Sequence, residues 1–308
     1  LIGIVVSYMC IRERQRIIDK MVKKEIKSAL SFVKQTVKFV FFLAHLLFQT
    51  KGNLKNPLKK VYSGKVAMLA NGPSMKNVLP RLTTDEFKNT DFIVLNFFGS
   101  MDIFTQIKPK HFCMADPMFF QENHNHDRVM KLFDDLNKKV DWEMNLYIPA
   151  SLKRQFLAFS GLHNSYIHIV PLNLTIYTGY EEFRHYFYRH GLSMPSVVTV
   201  ALMAIYVGIN SGYSEIDLYG VDHTFFDSLT VNSKNQLCIC DTHFYDKNKA
   251  ELKPMLRWDS TVWRMSDYLE EKMDVFKNHD IMAAYAVSQG VRIVNCTECS
   301  LIDSYERK

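Results

Sequence analysis

Short apolar runs recur along the chain after residue 60, and most of them end in a turn residue or a small polar residue. Runs of this length are typical of strands buried on both faces of a parallel sheet. The nearly all-apolar segment 197–207 predicts a helix buried on every side, and 121–141 and 259–289 predict two more helices. The pattern therefore predicts an α/β fold with an open, mostly parallel sheet and helices on both faces. The predicted strands are Val66–Ala70, Phe92–Asn96, Lys110–Asp116, Leu146–Pro149, Ile167–Pro171, Glu215–Gly220 and Val291–Asn295, and Cys296–Ser300 is predicted to enter a closing helix.

The first predicted strand ends abruptly in the sequence Asn71-Gly72-Pro73-Ser74. Gly72 allows a turn or the close approach of a ligand, and Pro73 with Ser74 suits the opening of a helix. A buried strand that leads through a glycine turn into a helix presents free backbone N–H groups to an anion. The turn therefore predicts an anion site, although a tight strand-to-helix connection can also be purely structural.

Later predicted strands also end in small or polar residues. Asn96 and Asp116 close the second and third strands, and Gly220 is followed by Asp222, His223 and Thr224. Because the carboxyl ends of parallel strands meet at one edge of a sheet, we expect these side chains to line a common crevice. Asn and Asp are also common turn formers, which leaves a structural explanation open.

Three other stretches extend this candidate site. Pro195 and Ser196 precede the apolar helix and predict a second helix start that attracts anions. The chain is polar and irregular over 223–253, and irregular segments of this length are usually functional, so we predict a lid there. The aromatic stretch Tyr177–Arg189 either borders an acceptor site or packs against the N-terminal segment.

Charge divides the chain into two parts. Residues 1–65 hold 14 Lys and Arg against three acidic residues, whereas the remainder holds 24 basic and 29 acidic residues. Basic residues therefore do not cover a recognition face of the body, which argues against a nucleic-acid partner. The hydrophobic fraction of 47% predicts a packed core.

The N-terminal region 1–60 is predicted to form basic, apolar helices that associate with a membrane and to precede a separate domain over 61–308. Its apolar stretch 29–49 is interrupted by Lys34 and Lys38, which lie one helical turn apart. This pattern is typical of an interfacial helix whose lysines reach anionic head groups. Two lysines within the apolar run disfavour a full span. A helix packed on the domain or on a partner subunit is the alternative, and a homo-oligomer is compatible with the sequence.

Six cysteines in a chain of this length do not predict a disulfide scaffold. Cys238, Cys240, Cys296, Cys299 and His243 have the residue types of a zinc site, but their spacing matches no standard zinc module. Because free buried cysteines are common, a reducing cytoplasmic setting fits this usage better.

Four blocks of the sequence stand out, in order: 68–76 (MLANGPSMK), Pro195-Ser196 with its apolar helix, 212–222 (GYSEIDLYGVD) and 290–302 (GVRIVNCTECSLI). Together they resemble the bacterial sialyltransferases that use CMP-sialic acid. They also resemble the related motility-associated-factor and 6-hydroxymethylpterin diphosphokinase-like proteins. The resemblance covers about residues 65–305 and leaves the first 60 outside. It implies a Rossmann-like fold.

The resemblance implies binding residues for a CMP-activated sugar. In the family the Asn-Gly-Pro-Ser turn contacts the cytidine nucleotide, which implies Asn71, Gly72 and Ser74 here, with Pro73 in the same turn. Asp116 departs from the asparagine of the family at the third strand end. Thr224 stands where the family has a phosphate-binding tyrosine, so that contact is expected from Thr224, His223 or Tyr245. The full set implied is Asn71, Gly72, Pro73, Ser74, Asn96, Asp116, Ser196, Gly220, Asp222, Thr224 and Tyr245.

A histidine in the lid is the general base of the family. His243 is its best match and His223 the next, and an imidazole titrates close enough to neutrality to accept a hydroxyl proton. The sequence contains no Walker motif and no Asp-x-Asp motif at a strand end, which favours catalysis without a metal cofactor.

These features predict a glycosyltransferase on the cytoplasmic face of a bacterial inner membrane. It would transfer sialic acid or a related nonulosonate from a CMP donor to a hydroxyl of a glycan or a lipid-linked acceptor, with inversion. The alternatives are a diphosphokinase-like enzyme that moves pyrophosphate from ATP and a non-catalytic, membrane-tethered binding protein.

Overall fold

The computed structural model describes residues 2–52, 54–227, 229–239, 253–257 and 261–308. Its central element is an eight-stranded sheet in which every neighbouring pair is parallel. A second, antiparallel sheet of three short strands follows the sixth strand of the chain. The strands are β1 (Lys65–Leu69), β2 (Asp91–Leu95), β3 (His111–Cys113), β4 (Met144–Pro149), β5 (Ile167–Leu172), β6 (Glu215–Tyr219), β7 (Leu229–Val231), β8 (Leu237–Ile239), β9 (Lys253–Pro254), β10 (Arg292–Asn295) and β11 (Glu306–Arg307).

The order of the strands places a switch point in the middle of the large sheet. The order is β11–β10–β6–β1–β2–β3–β4–β5, so the chain extends from β1 to one side and returns with β6 on the other. Ligands of open α/β sheets bind beyond the carboxyl ends of the strands at such a point. The predicted α/β fold with a Rossmann-like parallel sheet is confirmed.

Helices cover both faces of the sheet, as the buried strands require. Alternate side chains of β1 enter two different cores: Val66 and Met68 pack with one layer of helices, Ala67 and Leu69 with the other. The helices are α1 (Ile2–Thr50), α2 (Met75–Val78), α3 (Ile103–Ile107), α4 (His126–Lys139), α5 (Lys153–Phe159), α6 (Glu181–Arg189), α7 (Val200–Ser211) and α8 (Met265–Ser288).

The N-terminal region is one continuous helix, α1, and not the several helices that the sequence predicted. Its carboxyl-terminal half packs on the domain: the ring of Phe42 lies 4.9 Å from both Tyr177 and Phe187, measured between centroids. The aromatic stretch Tyr177–Arg189 therefore packs against the N-terminal segment, which was one of its two predicted roles. The domain and the second half of α1 share a core.

Three other predictions about elements need correction. The apolar helix begins at Val200 and not at Val197, because the four residues after Pro195 do not enter the helix. The closing helix at Cys296–Ser300 was wrong, since the chain turns there and ends in β11. The described part of the predicted lid contains β7, β8 and β9, and is therefore partly a small sheet.

Candidate active site

A cavity of about 610 Å³ lies at the carboxyl edge of the sheet, at the switch point between β1 and β6. We call it the main cavity. The ends of β1, β2, β3 and β6 contribute to its lining, and α4 and the amino end of α7 contribute to its walls. The structure brings nine of the predicted site residues together here: Asn71, Gly72, Pro73, Asn96, Asp116, Gly220, Asp222, His223 and Thr224.

The turn after β1 is bound to the turn after β6 by the carboxylate of Asp222. The backbone N–H of Ser74 donates to Asp222 Oδ1 at 3.1 Å, and Ser74 Oγ donates to Asp222 Oδ2 at 2.9 Å. Gly72 N–H donates to the carbonyl of Gly220 at 2.9 Å. The N–H groups of Gly72 and Ser74 are therefore satisfied within the protein, whereas the sequence predicted free groups for an anion.

Gly72 has no space for a side chain. A Cβ at this position would lie 1.9 Å from Asp222 Oδ2 and 2.5 Å from the Gly220 carbonyl oxygen. Gly220 itself has φ +71°, in the left-handed region that glycine adopts without a steric penalty. Burial raises the pKa of the Asp222 carboxyl above its ordinary value, and the hydrogen bonds from Ser74 oppose this shift. Two glycines therefore allow the two strand ends to join around one carboxylate.

Three buried oxygens on the cavity-lining residues have no hydrogen-bond partner among the residues that the structure describes. They are Asn71 Oδ1, Asn96 Oδ1 and Thr199 Oγ1. The amide nitrogen of Asn71 donates to the Leu95 carbonyl at 3.1 Å, which orients its side chain. Asn96 adopts φ +47°, a conformation that costs a non-glycine residue about 1 kcal/mol or more. Since buried oxygens are normally paired, this group is suited to a ligand that donates hydrogen bonds.

The amino end of α7 borders the cavity through Thr199, Val200 and Ala201. Thr199 precedes the helix, and its hydroxyl makes no capping bond to it. The helix runs for 12 residues, long enough for its dipole to favour an anion at this end. Ser196 lies outside the cavity lining, and its N–H donates to Asn278 Oδ1 at 2.8 Å. The helix start that the sequence assigned to Pro195 and Ser196 is therefore supplied by Thr199.

The charges of the cavity are mixed. Asp116, Asp222 and Asp227 contribute carboxylates, and Arg128 on α4 contributes a guanidinium whose carbon lies 4.0 Å from the centroid of the Phe97 ring. Asp116 accepts from the N–H of Met118 at 3.1 Å, so it also closes a turn, as its residue type allows. This lining suits a ligand that combines hydroxyl or amino groups with an anionic group better than it suits an isolated phosphate.

His223 connects the cavity to a buried chain of hydrogen bonds. Its Nε2 lies 3.1 Å from His279 Nε2, and His279 Nδ1 lies 2.8 Å from the Tyr305 hydroxyl. One proton is shared between the two facing nitrogens, so the two rings cannot both be protonated there. Burial lowers the pKa of His223 well below its ordinary value, with further contributions from His279 and the Lys272 ammonium. Burial also lowers the pKa of His279 to about 3. Both imidazoles are therefore neutral in the free protein at pH 7.

Two predicted site residues, His243 and Tyr245, lie outside the described residues, and their roles stay predictions. So does catalysis without a metal, although the described residues contain no group of three or more His, Cys, Asp or Glu side chains that could hold a metal ion. Sequence reasoning missed several residues at or behind the cavity. Thr199 could have been identified as a helix cap, but the others carry no local signature. The residues that sequence reasoning missed are Thr199, Phe97, Asn125, Arg128, Phe225, Asp227, His279 and Tyr305.

Comparison of the chain with protein-family models gave no matching family, and comparison with curated proteins gave no significant relative.

Proposed function

We propose that the protein is a membrane-associated glycosyltransferase that moves a sialic acid or a related nonulosonate from a CMP donor to a hydroxyl of a glycan or a lipid-linked acceptor. The observation that carries the proposal is the group of three unpaired oxygens, on Asn71, Asn96 and Thr199, at the switch point of a parallel sheet. A cytosine amino group and sugar hydroxyls are donors that these oxygens can accept from.

The main cavity contains positive and negative groups, and we infer that different parts of the sugar donor bind near each kind. The dipole of α7 and the guanidinium of Arg128 favour the donor phosphate. Asp116 and Asp227 would repel a phosphate and instead suit hydroxyl or amino groups. A volume of about 610 Å³ is within the range of small-molecule sites.

The reaction is a direct displacement. The oxygen of the acceptor hydroxyl attacks the anomeric carbon, the bond from that carbon to the phosphate oxygen breaks, and CMP leaves with the electron pair. The hydroxyl proton passes to a general base, for which His223 is the described candidate and His243 the other. The hydroxyl of Thr199 can donate as well as accept, so it and the amino end of α7 would stabilise the negative charge that develops on the leaving phosphate.

A nucleotide screen tests the proposal. We expect CMP to raise the unfolding temperature of the full chain and UDP to have a smaller effect, because uracil lacks the amino group that the unpaired acceptors can bind in cytosine. GDP and ADP, whose bases are larger and also carry amino groups, test whether the cavity selects a pyrimidine. The measurement is thermal unfolding with each nucleotide, with and without Mg²⁺. Stabilisation by ADP with Mg²⁺ and none by CMP would favour pyrophosphoryl transfer, and no stabilisation by any nucleotide would contradict a nucleotide site.

The variant Asn96→Gly tests whether one of the unpaired acceptors binds CMP. Glycine tolerates φ +47° without strain, so we expect the variant to be as stable as the parent or more stable. It lacks the Oδ1 acceptor, so the shift produced by CMP should shrink. A CMP shift equal to that of the parent would remove Asn96 from the site.

The proposal of membrane association is based on three sides of the α1 surface, which we call sectors. A stretch within Lys20–Thr50 is long and apolar enough to cross a membrane. With 3.6 residues per turn, however, the side chains of Phe39, Phe42 and Leu46 fall on one sector and pack on the domain. A second sector is apolar and exposed, and a third carries Lys34 and Lys38. A helix that is packed along a water-soluble domain suits the plane of the interface better than a span, and the proposed surface is the cytoplasmic face of a bacterial inner membrane. The exposed apolar sector includes Leu30, Val33, Val37, Val40, Phe41, Leu47 and Phe48.

Flotation with liposomes tests this arrangement on the full chain, because deletion of residues 1–60 would also remove the core residues Phe42 and Leu46. We expect the double variant Phe41→Ser, Phe48→Ser to float far less than the parent, since these rings are 71% and 80% exposed. The double variant Val231→Ser, Leu256→Ser, which removes exposed apolar residues near the small sheet, is the control. Equal flotation of parent and α1 variant would refute the assigned sector.

A further inference from the structure

A second cavity, of about 420 Å³, lies at the same edge of the large sheet as the main cavity, beyond the ends of β4 and β5. We call it the α1 cavity, because the last turns of α1 form one wall. That wall presents His45, Gln49 and Thr50. The segment after α1 adds Lys55, and the turn after β4 adds Ser151. The α1 cavity therefore combines residues from the membrane-associated region and from the domain.

The chemistry of the α1 cavity differs from that of the main cavity. Its described lining contains no carboxylate, whereas the main cavity has three. Asn173 in its wall is bonded within the protein: Oδ1 accepts from the N–H and the hydroxyl of Thr175, and Nδ2 donates to the Leu192 carbonyl. The other polar side chains of the wall, on His45, Gln49, Thr50, Lys55 and Ser151, can each donate a hydrogen bond, and Lys55 adds a positive charge. Such a set is complementary to an anion with several oxygens.

The chain segment that contributes the α1 wall and Lys55 is basic in sequence. No acidic residue occurs between Glu25 and Asp85 in the sequence. The connection that follows α1 carries Lys51, Lys55 and Lys59. A cavity of this charge attracts phosphate groups, and the flexible ammonium of a lysine is a common phosphate ligand.

The exposed apolar sector of α1 indicates which kind of molecule bears the anionic group. Phe41 and Phe48 precede and follow His45 by about one turn, so all three side chains project from neighbouring parts of the helix surface. Both rings are exposed, and they are helical neighbours of His45, which lines the cavity. An amphiphile can place a polar head group between α1 and the domain while its chains follow the apolar sector into the bilayer.

We propose that the α1 cavity binds the phosphate head group of a membrane lipid whose acyl chains lie along the exposed apolar sector of α1. This inference rests on the proposed membrane association of α1 and is independent of the nucleotide chemistry of the main cavity. The lysine ammonium and the donors of His45, Gln49 and Ser151 bind the phosphate oxygens, and the lipid then fixes the orientation of the domain on the membrane.

The test compares binding of the full-length parent and three variants to vesicles of phosphatidylcholine with and without phosphatidylglycerol. Lys55→Gln removes the charge within the cavity, and Lys59→Gln removes the same charge outside it. Ser151→Trp fills the cavity without a change of charge. We expect Lys55→Gln and Ser151→Trp each to weaken binding to the phosphatidylglycerol vesicles by about tenfold or more. Lys59→Gln removes one lysine from a diffuse basic surface and should weaken binding to the same vesicles by about fivefold or less.

Equal losses for Lys55→Gln and Lys59→Gln, with Ser151→Trp unchanged, would overturn the proposal in favour of diffuse surface charge. Inorganic phosphate is the second probe: if it stabilises the parent as much as the vesicles do and displaces the protein from them, the ligand is a free phosphate and the lipid assignment is wrong. Thermal unfolding checks that each variant is folded. Retained stabilisation by CMP in variants that fail to bind vesicles separates the failure of this proposal from a failure of the proposed reaction.

Discussion

Replacement of Gly72 by alanine should destabilise the protein by about 3 kcal/mol, which is the upper end of the usual cost of overpacking. The new Cβ would lie 1.9 Å from Asp222 Oδ2 and 2.5 Å from the Gly220 carbonyl oxygen. One of these neighbours is backbone and cannot rotate away. The chain must therefore separate the turn after β1 from the turn after β6, with loss of both hydrogen bonds between Ser74 and Asp222. Urea unfolding measures the change, and nucleotide binding should be lost with it.

Gly161→Ala is the control for Gly72→Ala. Gly161 has φ +61°, and among the described residues no atom lies within 4 Å of the point that its Cβ would occupy. Alanine there costs only the left-handed backbone conformation, about 1 kcal/mol. If Gly72→Ala has the same unfolding free energy as this control and binds CMP as the parent does, neither stability nor CMP binding requires the close approach of the turns after β1 and β6.

The elements that the sequence predicted correctly are those whose pattern is local. Val66–Ala70 and Phe92–Leu95 are continuous apolar runs, because side chains on both faces of these strands are buried under helices, and this environment leaves a direct trace in the sequence. The position of the main cavity followed from the same logic, because strand ends are visible as Asn71, Asn96 and Asp116. Sheet topology then placed these residues at one edge.

The details that sequence reasoning missed depend on pairing over long distances. Ser74 looked like a helix cap with free N–H groups, but its partner is Asp222, which is 148 residues away. No local pattern reveals that a carboxylate occupies the turn. The helix start assigned to Pro195 and Ser196 failed because two cap-like residues, Ser196 and Thr199, compete within four positions, and only packing against the sheet decides between them.

The chain from His223 through His279 to Tyr305 could not be predicted for the same reason. His279 lies in the middle of α8, where a histidine has no distinctive pattern, and it is 56 residues from His223. The sequence therefore identified His223 as a candidate base by its position after β6, but not the groups that control its protonation.

The second prediction concerns the rate of transfer. His223→Ala should lower kcat by about 10²–10⁴-fold, the usual contribution of a general base, and leave the affinity for CMP within about twofold. The expected cause is loss of the group that accepts the proton of the acceptor hydroxyl. His163→Ala, which removes an exposed histidine far along the chain from the cavity-lining residues, is the control and should retain the parent rate. A parent-like kcat in His223→Ala with loss of turnover in His243→Ala would assign the base to His243.

The pH dependence distinguishes a base from a merely structural histidine. In the free protein, burial and the nearby Lys272 ammonium hold the pKa of His223 well below its ordinary value, so it is neutral above that lowered pKa and becomes protonated only at lower pH. The acid limb of kcat/KM, which reports the free enzyme, should therefore lie below the ordinary pKa of histidine. A bound anionic donor favours the imidazolium and raises the pKa, so the acid limb of kcat should lie at higher pH than that of kcat/KM. Coincident limbs near the ordinary histidine pKa would contradict the role of His223, because a solvent-exposed base elsewhere would then control the rate.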